Sequence, residues 1–182
     1  MNVLRSSFKS LLPQQVDVLL VPFKAKQLLS HLLSELNEEQ VSMAETLIRE
    51  VLFRNIDTNE MRSRLDMPYE KGGGGWNKIR AEHISERVDR MLEQVKNLKE
   101  APETAVPPLA SYLENNFHLT LDEHQRIRLR ELLELRVQSK IGQVETQKRL
   151  DLSVSKGGVG LHRQTAEKMS REIEILMLLK YS

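Results

Sequence analysis

"SKGGVGLHRQTAEKM", residues 155–169, sets three glycines directly before a run with helical apolar spacing. The arrangement has two physical readings. Glycines leading into a helix present its first free N–H groups to an anion, as a phosphate loop does. They equally let the chain turn sharply between two helices, because glycine reaches positive φ and permits close backbone approach. The first reading implies a nucleotide site, the second only a corner.

A second glycine run decides between them. "KGGGGW" at 71–76 corresponds to "KGGVGL" at 156–161, so Lys71/Lys156, Gly72/Gly157, Gly73/Gly158 and Gly75/Gly160 recur while Gly74 becomes Val159. A phosphate loop of the deviant kind found in partition-type ATPases reads K-G-G-x-G-K-[ST]. Here Trp76 and Leu161 stand where its phosphate-binding lysine belongs, and Asn77 and His162 replace its magnesium-binding hydroxyl. A phosphate loop also follows a buried strand, whereas "QKRLD" precedes this one as part of a short polar pattern. A helix-hairpin-helix turn, which offers amides to a DNA phosphate, fits "GVGL" but wants the small helix residue sooner than Ala166 arrives. Six glycines, Gly72, Gly73, Gly75, Gly157, Gly158 and Gly160, are therefore read as structural turns. Trp76 or Leu161 plugs the core behind them, and Ala81 and Ala166 admit a close neighbouring helix.

The two glycine runs belong to a longer match. Shifting the chain by 85 residues aligns 21–96 with 106–181 without a gap, at about 20 identities in about 76 pairs. Composition alone would give roughly five. The expected fold is all-α: a tandem duplication of two similar helical units of about four helices each, with an extra N-terminal helix. The boundaries read 1–17 for a peripheral helix, 18–98 for unit one, 99–107 for a Pro-containing linker and 108–182 for unit two. The unit is longer than a tetratricopeptide or ankyrin repeat.

Each copy votes on the helices of the other. Prolines open a first helix near 23–35 and 107–117. Asn37 with Gln40, and Asp122 with Gln125, have the spacing of a capping box, so a second helix starts there in both units. Asp57 with Glu60 caps a third, and Gly142 breaks the chain at the equivalent point. The fourth carries Ile84, Val88, Met91, Leu92 and Val95 against Met169, Ile173, Leu176 and Met177, where methionine reads as core filler. At the corner, Arg64/Arg149 with Asp66/Asp151 read as a salt bridge and a cap, and Glu82/Glu167 as favourable charges in the first turn of the fourth helix.

Composition narrows the function classes. Aromatic residues are only 4% while helix formers abound, and the absence of cysteine excludes disulfides, thiolate metal sites and a cysteine nucleophile. The cysteine-free chain suits a reducing compartment, and the reading places it in the cytoplasm. A net charge of +1 gives no global attraction to nucleic acid or anionic membrane. No window approaches the roughly 18 apolar residues of a membrane span. The acid-free start "MNVLRSSFKSLLPQQV" carries too few bases for a transit peptide or surface helix and reads as a packing helix.

His31, His83, His118, His124 and His162 show no paired ligand spacing, and no serine lies in a G-x-S-x-G elbow. No catalytic residue, metal or cofactor is expected. The chain reads as a non-enzymatic interaction or assembly module whose partner is a protein or a second copy. The rival is a nucleic-acid-binding helical protein. It would use Arg126 and Arg130 of "HQRIRLRELLELRVQSK", aided by Arg136 or Lys140, with Lys71, Lys156 and Arg163 at the glycine turns as further anion contacts.

Overall fold

A computed structural model describes residues 20–28 and 38–180. The N-terminal helix expected over 1–17, the Asn37 cap and the rest of the first helix to residue 35 lie outside the described residues. Every regular element described is helical: α1 (residues 20–28), α2 (Glu38–Leu52), α3 (Thr58–Asp66), α4 (Lys78–Glu100), α5 (Val106–Asn116), α6 (Glu123–Val137), α7 (Gln143–Asp151) and α8 (Arg163–Lys180). Single 3₁₀ turns, Tyr69–Lys71 and Val154–Lys156, lead into the two glycine runs. Among these helices none is long and apolar enough to cross a membrane.

The chain divides into two compact units, and the break between Arg90 and Met91 falls inside α4. Element bounds recur 85 residues apart: α2 with α6, α3 with α7, one 3₁₀ turn with the other, and Lys78 with Arg163 as first residues of α4 and α8. Even a strained position recurs. Arg54 and Ser139, the same distance apart, take left-handed φ values of 61° and 58° just beyond the ends of α2 and α6.

Local chemistry explains the starts. Asp122 accepts the Gln125 amide at 2.8 Å while the Gln125 side chain accepts the Asp122 amide at 3.1 Å, a complete capping box at α6. Asp57 accepts the Glu60 amide at 2.7 Å and so begins α3; Gly142 begins α7 with no side-chain cap. Pro107 and Pro108 sit in the first turn of α5, where a missing N–H costs nothing, so the helix starts at Val106 and leaves residues 101–105 as its connection to α4.

Unit 1 packs α2 against α3. Ala44, Leu47, Ile48, Met61, Leu65, Ala81, Ile84 and Val88 are buried, and Thr58 on α3 donates to the Asp89 carboxylate on α4 at 3.0 Å. Unit 2 packs α5 on α6, α6 on α7 and α7 on α8. Its buried set includes Leu113, Leu129, Leu133, Leu150, Met169, Ile173 and Leu176, so the methionine is core. Ile141, read with the apolar face of the second helix, lies beyond the end of α6 and is only half-buried.

One polar cluster sits inside that core. Glu172 on α8 is fully buried, the Tyr112 hydroxyl on α5 donates to it, and the Asn116 amide donates to both its oxygens at 2.9 and 3.1 Å. A buried carboxylate persists only when its lone pairs are met by donors. Replacing Tyr112 with Phe should therefore lower the unfolding free energy by about 1–3 kcal/mol, the cost of removing one donor from a buried acceptor. Urea unfolding reads this as a lower midpoint at unchanged slope; an unmoved midpoint would show that the hydroxyl adds nothing.

Candidate functional site

Each glycine run lies in an eleven-residue connection between helices, 67–77 after α3 and 152–162 after α7. After α3, Met67 donates to Ser63, and the 3₁₀ turn closes when the Gly72 amide meets the Tyr69 carbonyl at 2.8 Å. Gly72 then takes a left-handed φ of 81°, and Gly157 after α7 takes 86°. No atom lies near the Cβ that either would carry, so glycine serves there for conformation alone.

The next glycine is required for space. A Cβ on Gly73 would lie 2.1 Å from the Met67 carbonyl oxygen, and one on Gly158 would lie 2.0 Å from that of Leu152. Neither has positive φ; Gly75 and Gly160, at 60° and 77°, are the left-handed partners further along. Gly74 leaves more room, at 3.1 Å from the Leu65 carbonyl, and Val159 occupies that place in unit 2 fully buried. The glycine that varies is thus the one with neither a left-handed φ nor a Cβ approach under 3.0 Å.

The fate of the amides decides what the runs can bind. Gly73 donates to Pro68, Gly74 to Arg64, Gly75 to Met67 and Trp76 to Leu65, at 2.9–3.1 Å. In unit 2, Gly158 donates to Ser153, Val159 to Arg149, Gly160 to Leu152 and Leu161 to Leu150, at 2.8–3.1 Å. An anion-binding nest needs successive N–H groups turned outward and unspent. These amides are instead consumed by the last carbonyls of the preceding helix and turn. Trp76 and Leu161 are buried directly behind them, and Ala81 and Ala166 are completely covered one turn into α4 and α8. Asn77 caps α4 by accepting the Arg80 amide at 2.8 Å, while the His162 ring receives the Gln164 amide at 3.4 Å.

The charged residues take other partners than their spacing suggested. Arg64 pairs with Glu60 and Arg149 with Glu145, both along their own helix, rather than with Asp66 or Asp151. Those aspartates are the final helical residues, and the capping positions belong to Met67 and Leu152. The geometric reason is that residues four apart share a helix face and residues two apart do not. The Arg149 guanidinium, 2.7 Å from Glu145, holds that carboxyl below the usual glutamate range, helped by the nearby positive charge of Lys148. Glu82 and Glu167 lie beyond the first turns of α4 and α8, which hold no acid, and meet Arg62 at 3.4 Å and Arg171 at 3.7 Å instead of a helix start.

Of the cations singled out for nucleic acid, Arg126 is bound to Glu114 at 3.1 Å, and Arg136 grips Glu174 with two bonds of 2.7 and 2.8 Å. Arg128 meets Glu131 at 2.8 Å. Arg130, Lys140, Lys71, Lys156 and Arg163 are exposed, scattered over α6, the segment after it and the two corners. Acidic partners hold the centre of the patch, so the arginine run of α6 is largely neutralised from within. Sequence periodicity missed this because Glu114 and Glu174 arrive from α5 and α8.

No group of three or more His, Asp or Glu able to hold a metal ion occurs among the described residues. His83, His124 and His162 are exposed and apart, and His31 lies outside the described residues. A half-open cleft of about 270 Å³ in unit 2 is lined by Pro102, Glu103, Val106, Glu134, Val137 and Gln138. That volume falls just below the roughly 300–1,000 Å³ of small-molecule pockets. No protein-family model, curated protein or solved structure matches this chain.

The two glycine types should respond differently to alanine. Gly73→Ala and Gly158→Ala drive a side chain into a backbone carbonyl and should each cost about 3 kcal/mol or more, the upper end of overpacking. Gly157→Ala meets open space and should cost only about 1–2 kcal/mol of left-handed strain. Lys156→Ala should leave stability within roughly 0.5 kcal/mol of the parent, as exposed substitutions do. Chemical denaturation tests the order; equal losses for Gly157 and Gly158 would show that close approach is not the constraint.

Proposed function

We propose that the chain is a tandem duplication of two helical units of about four helices each, preceded by an extra N-terminal helix, that acts in the cytoplasm as a non-enzymatic interaction or assembly module. One observation carries the reading. Seven hydrogen bonds from Lys71–Trp76 and the preceding Met67, with the left-handed glycines among them, have counterparts 85 residues on with the same donor and acceptor positions. Two separately evolved loops have no reason to spend each amide identically.

Duplication bears on use as well as origin. Two similar units offer two similar surfaces, which a repeated partner can engage together, as in repeat proteins whose function is binding along an extended face. The exposed apolar side chains differ between the units: Phe23, Phe53, Met67, Tyr69 and Ile79 in unit 1, Ile127 and Val144 in unit 2. The equivalents of Phe53 and Ile79 in unit 2 are Gln138 and Gln164, so an ancestral surface would have diverged toward separate contacts.

The test uses the full chain as bait in its native source, followed by identification of the bound protein by mass and calorimetric titration of that protein after purification. Saturable binding by the purified partner, insensitive to nuclease, is the expected outcome. Failure to bind any purified protein, combined with binding to short DNA or RNA that weakens steeply with salt, would replace this reading with the nucleic-acid one.

A further inference from the structure

We propose that each glycine corner is a self-complementary contact that pairs with a corner of a second copy of this chain. The inference rests on the duplication reading, since it compares the two units as diverged copies of one surface. At most exposed positions the copies differ. Near the corner five charged positions nonetheless match: Glu60/Glu145, Arg64/Arg149, Asp66/Asp151, Lys71/Lys156 and Glu82/Glu167, the last met by Arg62 and Arg171. The first two are explained within each helix, because they form the i,i+4 ion pairs.

Asp66/Asp151 and Lys71/Lys156 are not explained by the fold. All four are exposed, and among the described residues their side chains make no hydrogen bond or ion pair. The aspartates also sit against local electrostatics. As last residues of α3 and α7 they add negative charge to the negative end of a helix, where a cation is favoured. A residue that the fold would rather exchange, kept in both copies, points to a contact outside the unit.

The chemistry of the surface specifies that contact. Each corner carries an uncommitted carboxylate and an uncommitted ammonium five residues apart on a loop held rigid by its own hydrogen bonds, and Glu70 adds a second exposed carboxylate to the unit 1 corner. A patch with charges of both signs is complementary to itself under a two-fold axis, the aspartate of one copy meeting the lysine of the other and the reverse. In unit 1 the charges flank Met67 and Tyr69, which are 36% and 45% exposed, supplying an apolar centre within a polar rim. In unit 2 Leu152 and Val154 hold those places half-buried, so the unit 1 corner is the stronger contact. Exposed ion pairs are individually weak, and each chain offers two corners.

Charge exchange in the full chain tests this directly by sedimentation. The wild type should self-associate with rising concentration, less so at high salt. Asp66→Lys with Glu70→Ser and Asp151→Lys gives corners of two cations, and Lys71→Asp with Lys156→Asp gives corners that carry only anions. Each protein alone should associate at least roughly tenfold more weakly than the parent, with unchanged helical circular dichroism, because every pairing is then repulsive. An equimolar mixture should regain association. A wild type that stays monomeric, charge variants that associate like the parent, or a mixture that stays monomeric would each overturn the pairing. Those failures leave the interaction reading intact, since that reading is judged by a purified heterologous partner. Should either charge variant misfold, Asp66→Ser with Asp151→Ser supplies the same comparison, and undiminished association of that folded variant would overturn the proposal.

Discussion

The rest of each unit depends on one close approach, the backbone of Gly73 lying against the Met67 carbonyl and that of Gly158 against the Leu152 carbonyl. Only with no Cβ at that point can the following amides reach back to Arg64 and Leu65, or to Arg149 and Leu150. Those bonds satisfy helix-terminal carbonyls that would otherwise be left without partners. They also fix where Trp76 or Leu161 enters the core and hence where α4 or α8 begins. A helix junction that usually relies on water is closed by the chain itself.

This closure carries a consequence for function. The amides of Gly72–Trp76 and of Gly157–Leu161 are spent within the turn, so cradling a phosphate with them would require breaking bonds that define it. Its outer side chains are free of that duty and face solvent. The corner is therefore a rigid mount for surface residues, and rigidity lowers the ordering cost of any contact made there. The buried Glu172 cluster works at another level, tying α5 to α8 through Tyr112 and Asn116 so that unit 2 holds one arrangement of its helices.

Much of this was legible in the sequence where the cause is local. Asp57 with Glu60 and Asp122 with Gln125 mark helix starts because the donor and acceptor lie three residues apart, and the structure makes those bonds. The all-helical class follows from composition and apolar spacing. Long-range partners were not legible. Arg126 and Arg136 look basic in a linear reading, yet Glu114 and Glu174 are brought to them by packing. Glu172 resembles any solvated helix glutamate until Tyr112 and Asn116 arrive from another helix. The distinct duties of neighbouring glycines were also hidden, since Gly157 needs its φ and Gly158 its missing side chain, and only backbone geometry separates them.

Amide hydrogen exchange at the two corners tests the account most directly. Protection of an N–H follows from its hydrogen bond and from the free energy of opening it. If the amides of Gly74, Gly75, Trp76, Val159, Gly160 and Leu161 are spent on the preceding helix, they should exchange as slowly as those inside α3 and α7, and adding phosphate should change nothing. Exchange at the rate of an open loop, slowed when phosphate is added, would mean that the amides are available to a ligand and that the glycine runs are sites rather than corners.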